Sequence, residues 1–245
     1  MTSPLHLSLP PTGAMPATPL HARFPAAPTR GVVILHEIFG PQPEIARVVE
    51  RFANAGYAAV APDLFAGRSL PVCLAQAMQA MASGTGPQIE QIRAARSWLC
   101  EQTGLQPAQV GLIGFCLGGG FALAAGSGWG AVSTNYGDVP PSEVMRGIGP
   151  VIGCYGGRDL AFRKAPQRLR ERLQPLGVEP EIHLYPDVGH SFLTDGHHPI
   201  AHALAWPLMR VRYEPATAEA GWREILGFFA RHLPAAGPGP RATPP

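Results

Sequence analysis

Charged residues are scarce in this sequence, and neither sign is concentrated in one place. Only 15% of the 245 residues are Asp, Glu, Lys or Arg, and the formal net charge is +2. The nearest thing to a basic cluster, residues 158–172, alternates with apolar residues as the solvated face of a helix does. A nucleic-acid partner or a polybasic membrane anchor needs concentrated positive charge, so the composition indicates neither.

Long apolar runs and a secretory leader pattern are missing as well. No stretch approaches the ~18 uninterrupted apolar residues of a membrane-spanning helix, and prolines interrupt residues 1–28. The four cysteines are far apart, without a CxxC pair or the spacing typical of zinc ligands. We therefore expect a cytoplasmic protein with free thiols, a monomer or a weak homodimer, whose partner is a small molecule.

What the sequence does contain is an alternation of strand and helix patterns. Short β-branched runs predict buried strands, and apolar residues at helical spacing predict helices. The strands are predicted at residues 31–36, 57–61, 109–115, 130–135, 150–155 and 181–185, and the helices at 43–54, 88–101, 117–126, 162–176 and 218–233. This alternation indicates an α/β fold, a mainly parallel sheet with helices on both faces, in a single domain over residues 29–233. Residues 1–28 are expected to add short antiparallel edge strands, and residues 234–245 to form a flexible tail.

The strongest functional signal is G-F-C-L-G-G-G at residues 114–120, between a predicted strand and a predicted helix. A G-x-nucleophile-x-G turn holds its central residue, here Cys116, in strained backbone geometry, so its neighbours need to be glycine. The helix behind the turn directs its positive dipole end at the sulfur and favours the reactive thiolate. The alternative is that Cys116 is a small buried apolar residue among glycines that permit close packing.

A cysteine nucleophile needs a general base and a carboxylate that orients the base. His190 and Asp159 each follow a predicted strand, as Cys116 does. Because the carboxyl ends of parallel strands meet at one edge of the sheet, we expect these three residues to converge. Asp159 has the alternative role of a helix N-cap. Asp138, after an earlier strand, is the second candidate for the acid, whereas Asp187 is too near His190 in the chain to orient it.

Three other histidines are close together in sequence and could be taken for metal ligands: His197, His198 and His202. They have no carboxylate or cysteine partner at ligand spacing, so we interpret them as surface or lid residues. The predicted chemistry needs neither a metal nor an organic cofactor.

Five motifs occur in the order found in dienelactone hydrolases, and the chain resembles that family over about residues 31–233. They are H-E-I-F-G at residues 36–40, P-D-L-F at 62–65, G-F-C-L-G-G at 114–119, G-G-R-D at 156–159 and G-H-S-F at 189–192. The resemblance implies the α/β-hydrolase fold and a Cys116–His190–Asp159 triad. It also implies acyl transfer, in which an ester or lactone is hydrolysed through a thioester.

The resemblance implies further roles for residues around the thiol. Glu37 would lie near Cys116 and control the ionisation of its thiol. The backbone N–H groups of Ile38 and Leu117 would form the oxyanion hole, in agreement with the general geometry of such a turn. We expect three aromatic residues next to the motifs to line the substrate pocket, with packing in the core as the alternative: Phe39, Tyr136 and Phe192.

The sequence departs from the family where the substrate binds. The enzyme that names the family holds its substrate's carboxylate with two arginines, one on a helix after P-D-L and one four residues beyond the catalytic histidine. Here no arginine occurs between Arg68 and Arg93, and Thr194 occupies the second position. We therefore expect a neutral or more hydrophobic ester or lactone rather than dienelactone, unless Arg68 or Arg158 supplies a charge from elsewhere.

Three other functions share parts of this pattern. A glutamine amidotransferase also has a cysteine elbow, but it would have a carboxylate two residues after the histidine, where this sequence has Phe192. A redox thiol protein would need a resolving cysteine, for which Cys154 on a neighbouring strand is the candidate. A non-catalytic binding protein could keep the same fold, and an inert response to small esters would favour it.

Overall fold

The computed structural model describes residues 7–11, 16–66, 70–195 and 206–235. Eight strands form one sheet: β1 Leu7–Leu9, β2 Thr18–Arg23, β3 Arg30–Leu35, β4 Tyr57–Pro62, β5 Val110–Phe115, β6 Ala131–Asn135, β7 Val151–Gly156 and β8 Glu181–Tyr185. Their order is β1-β2-β4-β3-β5-β6-β7-β8. Strand β2 runs antiparallel to β1 and β4, and every other pair is parallel. The mainly parallel sheet predicted from the sequence is confirmed.

Helices cover both faces of this sheet. They are α1 Pro43–Asn54, α2 Leu70–Ser83, α3 Pro87–Thr103, α4 Leu117–Ala124, α5 Ala165–Leu173 and α6 Pro215–His232. Alternate residues of β3 separate the two layers: Val32 and Ile34 pack with α1 and α6, whereas Val33 and Leu35 pack with the cluster that holds α2, α3, α4 and α5. This alternation follows from the two-residue period of a strand, and it explains why β3 is apolar on both faces.

Two helices differ from the sequence prediction. The helix predicted at 162–176 begins only at α5, because Pro166 lacks an N–H and is tolerated only in a first helical turn. It then gives way to a 3₁₀ turn at Gln174–Leu176. The sequence pattern does not predict α2, which contains no charged residue and so has little contrast between its faces.

The carboxyl ends of four parallel strands bring the motifs together. Glu37 follows β3, Cys116 follows β5 directly, Asp159 follows β7 and His190 follows β8. No helix in the described ranges is long and apolar enough to span a membrane. Residues 236–245 of the predicted tail, together with Arg68 and the three clustered histidines, lie outside the described residues.

Candidate active site

Cys116 is held in a strained turn between β5 and α4. Its backbone has φ 53° and ψ −116°, a region that side chains rarely adopt. A Cβ on Gly114 would lie 1.9 Å from the Gly118 carbonyl oxygen, and a Cβ on Gly118 would lie 2.5 Å from that of Leu35. The residues two positions before and two positions after Cys116 must therefore be glycine, as the sequence pattern predicts. The turn leaves the cysteine half-buried at the amino end of α4.

We expect Gly114→Ala to disrupt this turn. The new methyl group would collide with backbone, which cannot move aside as a side chain can, so the free energy of unfolding should fall by at least ~3 kcal/mol. Gly227→Ala, in the middle of α6, is the matched control, because its Cβ would meet only the flexible end of Arg231 at 3.4 Å. Urea denaturation of both variants measures the difference. Equal stabilities would contradict a tight elbow.

His190 and Asp159 form a buried pair beside this cysteine. The imidazole Nδ1–H donates to Asp159 Oδ2 at 2.6 Å, and both side chains are buried. The second carboxylate oxygen accepts the Phe162 N–H at 3.3 Å, so Asp159 both orients the histidine and caps the following turn. The orienting role and the capping role, which the sequence presents as alternatives, coexist on the two oxygens of one carboxylate.

The charge state of His190 is set by its surroundings. Burial on its own lowers the pKa of His190, but the negative charge of Cys116 and the hydrogen bond to Asp159 outweigh it and raise the pKa to about 10. The other ring nitrogen, Nε2, is buried and has no hydrogen-bond partner of ordinary geometry among the described residues. Catalytic hydrogen bonds are often poorly aligned before substrate binds. The raised pKa favours the protonated ring, which has a proton to give to a leaving group.

The two competing carboxylates have other partners. Asp138 accepts a hydrogen bond from Arg168 at 2.7 Å and one from the Val139 N–H at 2.8 Å. Asp187 is exposed and pairs with Arg158 at 3.2 Å. These partners are away from the histidine, whereas Asp159 is hydrogen-bonded to it directly.

Glu37 is held by a cluster of three hydroxyl groups. Its Oε1 accepts hydrogen bonds from Ser191 Oγ at 3.0 Å, Thr194 Oγ1 at 3.0 Å and Tyr136 Oη at 3.3 Å. The Tyr136 and Thr194 oxygens are also 3.1 Å apart. Three of the five described non-glycine residues with positive φ belong to this site, since Tyr136 and Ser191 join Cys116.

His36 fixes the loop that carries Glu37 and Ile38. The Leu64 N–H donates to His36 Nε2 at 3.0 Å, so the ring proton is on Nδ1, which donates to the Glu37 carbonyl oxygen at 2.7 Å. Burial lowers the pKa of His36 and outweighs this hydrogen bond and the nearby carboxylates. The neutral ring therefore ties the loop after β3 to the end of β4.

A cavity of about 400 Å³ opens above the thiol. Phe39, which the sequence places in the pocket, lies on its wall together with Ile38, Leu117, the cysteine, the histidine and the glutamate. Tyr136 and Phe192 are fully buried instead. Tyr136 packs against His190 with ring centroids 4.9 Å apart, and Phe192 packs against Tyr136 at 5.8 Å. Neither ring is among the residues that line the cavity.

Several residues of the site were not found from the sequence. Leu74, Met78 and Met81 of α2 line the cavity, and their spacing of four and three residues is itself a helical signal. The hydroxyl partners of Glu37 gave no such signal, because they lie beside it only through long-range packing. Phe162, from a turn after β7, and Met209, from the helical residues 206–209, also line the cavity.

One group of possible metal ligands lies elsewhere in the described residues, at Glu181, His183 and Glu224. Arg231 already pairs with Glu181 at 2.7 Å, and His183 bonds the same carboxylate at 3.0 Å. These contacts account for the cluster as surface ion pairs, so we assign no metal to it.

The cysteines are all free thiols. Cys154, the candidate resolving cysteine, is buried in β7, and burial strongly raises the pKa of its thiol. A thiol in that state is a weak nucleophile, which does not favour a redox pair with Cys116.

Comparisons with known proteins identify the family of the chain. The sequence profile of the dienelactone hydrolase family matches residues 17–233. The carboxymethylenebutenolidase of Pseudomonas putida is 32% identical, with 74% of this chain and 80% of that protein covered. That of Rhodococcus opacus is 25% identical, with 94% of each chain covered.

Solved structures agree with the fold. The dienelactone hydrolase of Anabaena variabilis superposes with a TM-score of 0.68 at 20% identity, over 95% of this chain and 99% of that one. A dienelactone hydrolase-like promiscuous phosphotriesterase from metagenomic libraries gives 0.71 at 20% identity, over 89% and 94%. The fold is the α/β-hydrolase fold, and the chain belongs to the dienelactone hydrolase family of hydrolases.

Proposed function

We propose that this protein hydrolyses carboxylic esters or lactones with Cys116 as the nucleophile, through a thioester acyl-enzyme. One observation carries the proposal. A cysteine held at positive φ shares an apolar cavity with a buried histidine, whose other nitrogen is bonded to a buried aspartate. Nucleophile, orienting acid and base follow one another along the chain in the order typical of this fold.

The first half-reaction uses the charge state of the site. The Cys116 thiolate attacks the carbonyl carbon and forms a C–S bond, while the carbonyl oxygen becomes negative. Backbone N–H groups of Ile38 and Leu117 would stabilise this oxyanion, and the loss of one such donor costs on the order of 3 kcal/mol. The C–O bond then breaks, and His190 gives its proton to the leaving alkoxide.

The second half-reaction restores the resting state. His190 takes a proton from water, and the resulting hydroxide attacks the thioester carbon. The C–S bond breaks, the carboxylic acid leaves, and the thiolate and the protonated imidazole remain. Asp159 keeps the ring in the tautomer that both steps require. The hydroxyl cluster would hold Glu37 near the thiol, where the family resemblance gives it control over thiol ionisation.

Selective alkylation tests this proposal. Iodoacetamide at neutral pH should label Cys116 first and abolish p-nitrophenyl acetate hydrolysis in proportion to the label, as followed by peptide mass spectrometry. Cys100 is the internal comparison, because it is partly exposed while burial raises the pKa of its thiol and slows its reaction.

Two results would contradict the proposal. Turnover that survives complete labelling of Cys116 would place the chemistry on another residue. Unmodified protein that hydrolyses no ester or lactone in a broad panel would favour the non-catalytic binding protein. The cytoplasmic location, the monomeric or weakly dimeric state and the absence of a nucleic-acid or membrane partner stay predictions from sequence.

A further inference from the structure

The charges around the cavity are unevenly balanced. Four carboxylates line it, and among its described lining residues His190 is the only group that can be a cation. Three of the four are paired with arginines at the rim. Arg47 lies 2.6 Å from Glu44 and 3.8 Å from Asp195, and Arg168 lies 2.7 Å from Asp138.

Glu37 is the fourth carboxylate, and it is hydrogen-bonded by hydroxyl groups rather than paired with an arginine among the described residues. The positive charge of His190 is already matched by Asp159 and Cys116. A second anion placed near the thiol would therefore meet an uncompensated negative charge in a partly desolvated cavity, where repulsion is stronger than in water.

The remaining lining is mostly aliphatic and aromatic. Leu74, Met78 and Met81 come from α2, Phe162 comes from a turn after β7, and Met209 comes from a helical segment after β8. Met81 packs onto Gly120 of the nucleophile helix α4, so the α2 wall adjoins the thiol closely. A cavity of about 400 Å³ lies within the range of small-molecule sites and is larger than an acetyl group needs.

The apolar lining continues onto the surface. Phe39 and Met78, both on the cavity wall, are 39% and 55% exposed. Leu160 and Leu208 are 51% and 55% exposed, and the Leu160 N–H is bonded to the Leu208 carbonyl. Their neighbours Phe162 and Met209 line the cavity. We call these four exposed side chains the apolar rim, and exposed apolar groups gathered at a pocket indicate a ligand rather than chance.

We propose that this cavity selects esters whose acyl group is an uncharged aliphatic chain, and that it rejects acyl groups that carry a carboxylate. This inference rests on the proposed thioester mechanism. The alcohol leaves after the first half-reaction. The acyl group stays bonded to Cys116, so it has to fit the cavity in both half-reactions. Its distal carbons extend towards the apolar rim.

A chain-length series tests the apolar part. Among the p-nitrophenyl esters of acetate, butyrate, hexanoate and octanoate, kept below their micelle-forming concentrations, kcat/KM should rise about fourfold per buried methylene until the cavity is full. That factor corresponds to ~0.8 kcal/mol per CH₂. A flat or falling series would overturn the preference for an aliphatic chain.

A matched pair of esters tests the charge. The p-nitrophenyl ester of monomethyl adipate is neutral, and that of adipic acid carries a carboxylate at the same distance from the reacting carbon. The neutral ester should be favoured in kcat/KM by about tenfold or more. Equal rates, or faster hydrolysis of the anionic ester, would overturn the proposal.

Two lysine variants on α2 locate the effect. Met78→Lys puts a cation on the cavity wall and should narrow the neutral-to-anionic ratio by about tenfold. Val72→Lys is the control, because Val72 is 49% exposed on the same helix but does not line the cavity. If the ratio of kcat/KM for the neutral ester to that for the anionic ester were the same in the two variants, α2 would not be the wall that contacts the acyl group. If the wild type turned over none of these esters, the proposed function would fail instead of this inference alone.

Discussion

Cys116→Ala is expected to lower kcat/KM for p-nitrophenyl acetate by at least ~10⁴-fold. Alanine keeps the Cβ and meets the same backbone strain at φ 53°, but it has no atom that can form the acyl bond. The oxyanion N–H groups and the cavity remain, so the rate left over reports binding and polarisation alone. Initial rates on both proteins at several enzyme concentrations measure the loss.

The matched control for this substitution is Cys100→Ala. Cys100 is half-buried near the end of α3, away from the carboxyl ends of the strands, and its removal should change the rate by less than twofold. Thermal unfolding of both variants should stay close to that of the wild type, since neither substitution opens a large cavity. A Cys116→Ala protein within tenfold of wild-type activity would mean that another residue is the nucleophile.

Asp159→Asn is expected to lower kcat by about 10³- to 10⁴-fold. The Asn carbonyl oxygen can still accept the hydrogen bond from the Phe162 N–H. The side-chain NH₂ group then faces His190 Nδ1. The ring must then accept at Nδ1 and carry its proton on Nε2, where it can no longer take a proton from water. The loss of the carboxylate also removes one of the interactions that raise the pKa of His190.

Two measurements separate this effect from simple misfolding. The pKa of His190, followed by NMR of the imidazole, should fall in Asp159→Asn from about 10, while far-UV circular dichroism stays unchanged. Asp138→Asn is the comparison, because Asp138 lies on the same cavity but bonds Arg168 rather than the histidine. It should retain activity to within a few-fold. If Asp138→Asn were the more damaging substitution, Asp138 would be the catalytic acid.

Most of the fold, and the positions of Cys116, Asp159 and His190 at strand ends, could be predicted from the sequence because the signals for them are local. A short β-branched run such as Val32 to Leu35 indicates a buried strand, and Gly114 and Gly118 on either side of Cys116 indicate a tight turn between strand and helix. The strand-end positions of Asp159 and His190 follow from the alternation of elements. All of these signals lie within a few residues of the feature that they predict.

What the sequence could not supply depends on distant contacts. The three hydroxyl partners of Glu37 come from positions 136, 191 and 194, which only the packing of β3, β6 and the loop after β8 brings together. Tyr136 and Phe192 adjoin motif residues, as Phe39 does, yet their strand ends direct them into the core rather than the cavity. Helix α2 contains no charged residue, so it has no charged face opposite an apolar one and the sequence pattern does not predict it. It nevertheless forms a wall of the cavity.

Because α2 forms a cavity wall but holds none of the reacting groups, changes in substrate specificity can occur separately from changes in the reaction. The reacting groups sit at strand ends, where a shift in backbone would disturb the whole sheet. The wall that α2 contributes contains no reacting group, bears no charge and packs mainly on α4 and α3. Substitutions along this one helix can therefore alter which molecules enter without touching the chemistry. Both evolution and directed engineering should find new specificities among the α2 residues that line the cavity.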